Sequence, residues 1–134
     1  MAAGYSSTPL FKKLGIKEGF VVKLVNPPAN YNKLVGDILK EVELTNGKKD
    51  IDFIHFFVNK IKDLEKLLPE LMKQIKKNGM IWVSWYKASS KKPTELNDNI
   101  IRDTGLAAGL VDVKVCAVDE EWSALKLVYR LKDR

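Results

Sequence analysis

Cysteine and histidine are nearly missing: the chain has one of each, Cys116 and His55. A single cysteine cannot close an intrachain disulfide, and one cysteine with one histidine argues against a Cys- or His-based zinc site. No apolar run approaches the roughly 18 residues that cross a bilayer. The stretch Met1-Ala2-Ala3-Gly4-Tyr5-Ser6-Ser7 has neither the basic nor the apolar segment of a secretory signal. Together these absences predict a soluble, cytoplasmic protein that does not partner a membrane. Internal repeats, low-complexity tracts and linkers are absent too, so residues 1–134 read as one domain. The carboxylates are scattered and no HxxE spacing stands out to hold a metal. No Ser-to-His-to-acid or His-to-Cys spacing supports nucleophilic catalysis.

Present instead are a hydrophobic fraction of 46% and a formal net charge of +6. The first suits a folded core. The second admits an anionic partner, nucleic acid or a phosphorylated metabolite, but equally serves solubility. Lysines alternate with acids, as in Lys60-Ile61-Lys62-Asp63-Leu64-Glu65-Lys66, which reads as a solvated helix face.

The elements alternate in an α/β manner. Thr8 to Gly15 reads as a short helix, with Thr8 capping its first turn, and Phe20 to Val25 as the first strand. A helix is predicted over about Ala29 to Leu39, then a weak strand over Val42 to Thr45. Ile51 to Val58 is almost entirely apolar and fits a strand buried on both faces. Ile61, Leu64, Leu67, Leu68, Leu71 and Ile75 recur at helical spacing, predicting a helix from about Lys60 to Lys77 that Pro69 kinks and Asn78-Gly79 ends. Met80 to Tyr86 is a buried strand, and Thr94 can cap a helix running to about Ala108. Val111–Val118 and Ala124–Leu131 are joined by too few residues for a crossover, so they form an antiparallel hairpin.

Two stretches resemble a known fold. Leu67-Leu68-Pro69-Glu70-Leu71 followed by Lys77-Asn78-Gly79-Met80-Ile81-Trp82-Val83 is similar to the late helix-to-strand junction of class I methyltransferases that use S-adenosylmethionine, and the final helix and hairpin resemble that fold's end. A closer resemblance is to domain-of-unknown-function family 3052, small and mostly bacterial proteins of the same outline. It is carried by Ala3 to Leu10, Lys13-Leu14-Gly15-Ile16, Trp82-Val83-Ser84-Trp85 and the run Gly109 to Lys126. The resemblance implies a three-layer, Rossmann-like α/β fold with a mostly parallel sheet ending in an antiparallel hairpin. It implies no activity.

In the active methyltransferase fold a glycine-rich turn after the first strand meets the cofactor. Here that place reads Asn26-Pro27-Pro28. Proline has no N–H and a fixed φ, so the pair can begin a helix, with Asn26 as cap, but cannot form a glycine cradle. The acid that usually holds the cofactor ribose is replaced by Thr45-Asn46, with Glu43 too early. The connection from Thr45 to Ile51 is also too short for a crossover helix, so the third strand of the usual fold is expected to be missing. The pairing of the weak strand stays open. These substitutions argue against S-adenosylmethionine as a cofactor, and no other cofactor is indicated.

Ligands in open α/β sheets bind beyond the carboxyl ends of the strands. That rule nominates Asn26, Pro27, Asn59, Ser84, Trp85 and Lys87, with Lys91 or Lys92 nearby, as lining a crevice able to hold a planar or phosphorylated anion. Trp85 packed against a helix and Lys87 in solvent is the competing reading. Asp119, Trp122, Ser123 and Lys126 form a second candidate cluster with Glu120, at the pocket edge or as a self-capping turn. His55 among phenylalanines reads as a core histidine with a satisfied hydrogen bond rather than an acid–base catalyst, and Cys116 as an inert packed thiol. Lys23 lies mid-strand, so its amine needs a partner or a path to water, and Val22 and Leu24 should be more buried.

The reading that follows is a degenerate, non-catalytic domain binding a small ligand or a protein. The alternative is a small enzyme acting on a phosphorylated or anionic metabolite. An active methyltransferase and a nucleic-acid module fit less well, and a homodimer through an edge strand or apolar helix face is compatible with the sequence.

Overall fold

A computed structural model of the chain describes residues 8–134. Its elements are α1 (Leu10–Leu14), β1 (Val21–Val25), α2 (Tyr31–Val35), β2 (Glu43–Leu44), β3 (Ile51–Phe57), α3 (Ile61–Met72), β4 (Ile75–Tyr86), α4 (Asp98–Ala108), β5 (Leu110–Ala117) and β6 (Trp122–Tyr129), with short 3-10 turns between and after them. The strands form one six-stranded sheet in the order β2-β1-β3-β4-β6-β5. The first four are mutually parallel, and β6 runs antiparallel to both β4 and β5. The fold is therefore the expected mostly parallel α/β sheet with an antiparallel C-terminal hairpin.

Alternation along the strands builds two cores. Ile54, Phe56, Ile81 and Val83 face α3 and α4, where Leu64, Leu68 and Ile101 complete the packing. Phe53, Phe57, Trp82 and Val22 face the other way, against Leu14 of α1 and Tyr31 and Val35 of α2. On this second face the Trp82 indole N–H donates to the Leu14 carbonyl at 2.7 Å, fastening α1 to the sheet.

The weak strand shrinks to two residues and pairs in parallel with β1, Val21 opposite Glu43 and Val22 opposite Leu44. Residues 45–50 then lead straight to β3, leaving no room for a further strand and helix. Val22 is fully buried, while Lys23 and Leu24 are both half-buried. The Lys23 amine donates to Gln74 Oε1 at 2.7 Å and to the Gly47 carbonyl at 3.0 Å, so it has partners and pins the 45–50 connection.

Several boundaries differ from those the sequence suggests. The helix expected over Ala29–Leu39 starts at Tyr31 and breaks at Gly36, whose φ of +75° with ψ of −155° lies outside helical space; a 3-10 turn follows. Asn26 does not cap it. Asn26 itself takes a left-handed φ of +55°, and the chain passes through Pro27 and Pro28 before Asn30 opens α2. The helix expected to reach Lys77 stops at Met72 with Pro69 inside it, and Ile75 already belongs to β4, paired with Ile51. Lys76 to Gly79 then form an irregularity, because Phe53 pairs with Met80. Gly79 is needed there: a Cβ would lie 3.0–3.1 Å from the carbonyl oxygens of Ile51, Lys76 and Asp52. The last helix is capped by Asn97, whose side chain accepts from Ile100 N–H at 2.9 Å. Thr94 instead accepts from Leu96 N–H in the preceding loop.

Candidate functional site

The carboxyl ends of β1, β3 and β4 and the β5–β6 loop share one edge of the sheet. At this edge β1 ends in the left-handed Asn26, with Pro27 exposed. Leu24, Leu44, Thr45 and Asn46 line a crevice of about 210 Å³ beside that corner. Thr45 Oγ1 accepts from Gly47 N–H at 2.9 Å. Among the described residues the crevice lining includes no carboxylate.

The other nominated residues are not gathered around it. Ser84 is fully buried, and its hydroxyl shares a 2.7 Å hydrogen bond with His55 Nε2. His55 Nδ1 shares a second, of 2.8 Å, with the Tyr31 hydroxyl. The ring also stacks on Phe57 at 4.2 Å. Burial pushes the imidazole pKa down to about 3, so the ring is neutral at ordinary pH and donates through one nitrogen while accepting through the other. The same burial pushes the Tyr31 phenol up. Tyr31, His55 and Ser84 thus form a sealed polar chain inside the second core. His55 is a core histidine, with two hydrogen bonds rather than one. Tyr31 was invisible as its partner because 24 positions, with a 3-10 turn and β2 among them, separate the two in sequence.

Trp85 packs into the α3–α4 core. Trp122 packs edge-on to Phe57 at 4.9 Å and against Tyr86 at 4.3 Å. Asn59 works as a clasp: its Oδ1 accepts from Tyr86 N–H at 2.9 Å and its carbonyl from Glu95 N–H at 2.8 Å. It also lines a crevice of about 250 Å³ with Lys60, Pro93, Thr94 and Glu95. Lys87 donates its backbone N–H to the Glu121 carbonyl, and Lys92 pairs with the Glu121 carboxylate. Asp119 Oδ1 accepts from the N–H groups of Glu121 and Trp122, the self-capping turn weighed above. Ser123 lies within β6 opposite Trp85 and Ala117. Lys126 is at the far end of the sheet, in a different depression. Burial raises the Cys116 thiol pKa, with Lys13, Lys114 and Lys87 opposing it, in keeping with an unreactive thiol. Among the described residues no group of three or more His, Cys, Asp and Glu side chains could hold a metal. No helix among them is long and apolar enough to cross a membrane.

Sheet order, hairpin and helix placement define a methyltransferase-like Rossmann domain, and solved structures agree. The chain aligns with a candidate type 11 methyltransferase from Sulfolobus solfataricus at a TM-score of 0.62 and 15% identity, covering 90% of this chain and 89% of that one. It aligns with the Methanococcus jannaschii fibrillarin pre-rRNA processing protein at 0.56 and 14%, covering 94% and 70%. Magnesium protoporphyrin IX methyltransferase from Synechocystis PCC 6803, solved with bound SAH, aligns at 0.58 and 9%, covering 90% and 78%. At these identities the likeness concerns the fold alone. By sequence, residues 12–131 match the profile of "Protein of unknown function (DUF3052)", and the chain belongs to that family. No curated protein matches it.

Proposed function

We propose that this chain is a methyltransferase-like domain that no longer transfers methyl groups and instead binds a small ligand or a protein. The observation that carries the reading is the corner after β1. Asn26 turns the chain through a left-handed φ, and the next two residues have no N–H to donate where a cofactor would meet the backbone. Two further features support it. Among the described residues the adjoining crevice is lined by Leu24, Leu44, Thr45 and Asn46, with no acid for a ribose, and β2 is only two residues long. The side chains at the ends of β3 and β4 with groups capable of chemistry are engaged in packing or in the sealed Tyr31–His55–Ser84 chain.

Calorimetric titration with S-adenosylmethionine and with S-adenosylhomocysteine tests this. The expected result is no saturable heat with either. Micromolar binding of either compound would place the protein among working cofactor-binding domains and overturn the reading.

A further inference from the structure

We propose that the sheet edge opposite the β1 corner carries a binding pocket for a compact, multivalent phosphate-type anion such as pyrophosphate. A depression of about 260 Å³ lies there, lined by apolar Met80, Val113 and Val128 and by polar Asn78, Lys126 and Arg134. Two strand irregularities border it. One is the break in β4 around Gly79; the other is the register shift in β5 between Asp112 and Val115. Bulges of this kind often re-aim side chains beside functional sites. The volume falls below the roughly 300 Å³ at which drug-sized ligand sites begin, so a small ligand suits it better than a dinucleotide.

The basic side chains of Lys126 and Arg134 line this depression. Burial first, and after it the positive charges of Lys114, Arg134 and Lys17, push the Lys126 ammonium pKa down. Lys114 Nζ stands 6.0 Å from the centre of the Trp82 ring, over the same face of the sheet. Arg134 Nε donates to the Tyr129 carbonyl at 3.0 Å, which orients its guanidinium. Cations elsewhere in the fold pair with acids, among them Lys76 with Asp52 at 3.0 Å, Arg102 with Asp112 at 3.0 Å, and Arg130 with Asp133 at 3.1 Å. Among the described residues no ion pair includes Lys17, Lys114, Lys126 or Arg134. Converging like charges on a partly desolvated amine destabilise the empty fold, and a bound anion reverses the sign of that interaction. Phosphate oxygens offer acceptors to both ammonium and guanidinium groups. This inference does not depend on whether the β1 corner admits an adenosyl group.

The test is calorimetric titration with inorganic pyrophosphate at low ionic strength, using the wild type, Lys126→Met and Lys62→Met. Lys62 is an exposed helix residue that serves as control. The expected result is saturable one-to-one binding, weakened roughly tenfold or more by Lys126→Met and unchanged by Lys62→Met. Ligand-free Lys126→Met should also melt above the wild type, since it removes a crowded charge but keeps the apolar stem. Absence of binding, equal weakening in both variants, or a lower melting temperature with binding intact would each overturn the proposal. An RNA oligonucleotide that binds through Lys126 when pyrophosphate does not would make this a nucleic-acid surface and overturn it too.

Discussion

The neutral imidazole of His55 is well housed at pH 7, between a phenol and a serine hydroxyl, but it cannot take up a proton without placing a charge in an apolar core. Its native pKa, near 3, lies below the ordinary value of 6.5. Above 6.5 neither the folded nor the unfolded ring is protonated, and the full stability is present. As the pH falls below 6.5 the unfolded chain binds a proton that the native ring refuses, and stability drops by up to about 1.4 kcal/mol per pH unit. Urea unfolding between pH 7 and pH 5 should show this decline, and His55→Gln should flatten it. An unchanged slope in the variant would assign the effect elsewhere. Trp82 gives a second residue-level expectation. Trp82→Phe leaves the buried Leu14 carbonyl without the indole donor, and urea unfolding should register a loss of about 1–3 kcal/mol.

Where elements begin and end follows from short-range chemistry, and α4 allows a direct check. Asn97→Ala removes the acceptor for the Ile100 N–H at an exposed cap and should cost about 1 kcal/mol in urea unfolding, whereas Thr94→Ala should cost less of the helix. Thr94 and Asn97 are both good cap residues three positions apart, so the sequence alone did not separate them. The β1, β3 and hairpin strands were legible because buried parallel strands and short loops leave strong apolar and length signals. The end of α3 was not. Its helical spacing runs through Ile75, yet that residue is buried by pairing with Ile51 in the sheet, and a periodic apolar position does not reveal which partner buries it. The candidate site was the least legible part. The rule about carboxyl ends located the edge of the sheet, but Ser84 and Trp85 point inward from it, and the choice between inward and outward needed the register of the neighbouring strands.

At the scale of the whole molecule the net charge of +6 is unevenly arranged, with like charges crowded near Lys126. Screening should relieve that crowding. Raising ionic strength from about 0.01 M to about 0.15 M shrinks the Debye length from roughly 30 Å to 8 Å and should raise the melting temperature measured by circular dichroism. A melting temperature that fell steadily with sodium chloride would mean that attractive pairs, such as Lys76–Asp52, outweigh the repulsions.

The brevity of β2 has an effect on solubility in company. A sheet that ends on a long, flat strand offers a row of free amides and carbonyls onto which a neighbouring polypeptide can zip, which is how many fibrils start. At the β2 margin the strand is two residues long, preceded by a 3-10 turn and followed by the charged run Lys48-Lys49-Asp50, so an incoming strand would find little template there, whereas the opposite margin, β5, is eight residues long. The short β2 gives this side of the sheet a blunt border instead of an adhesive one.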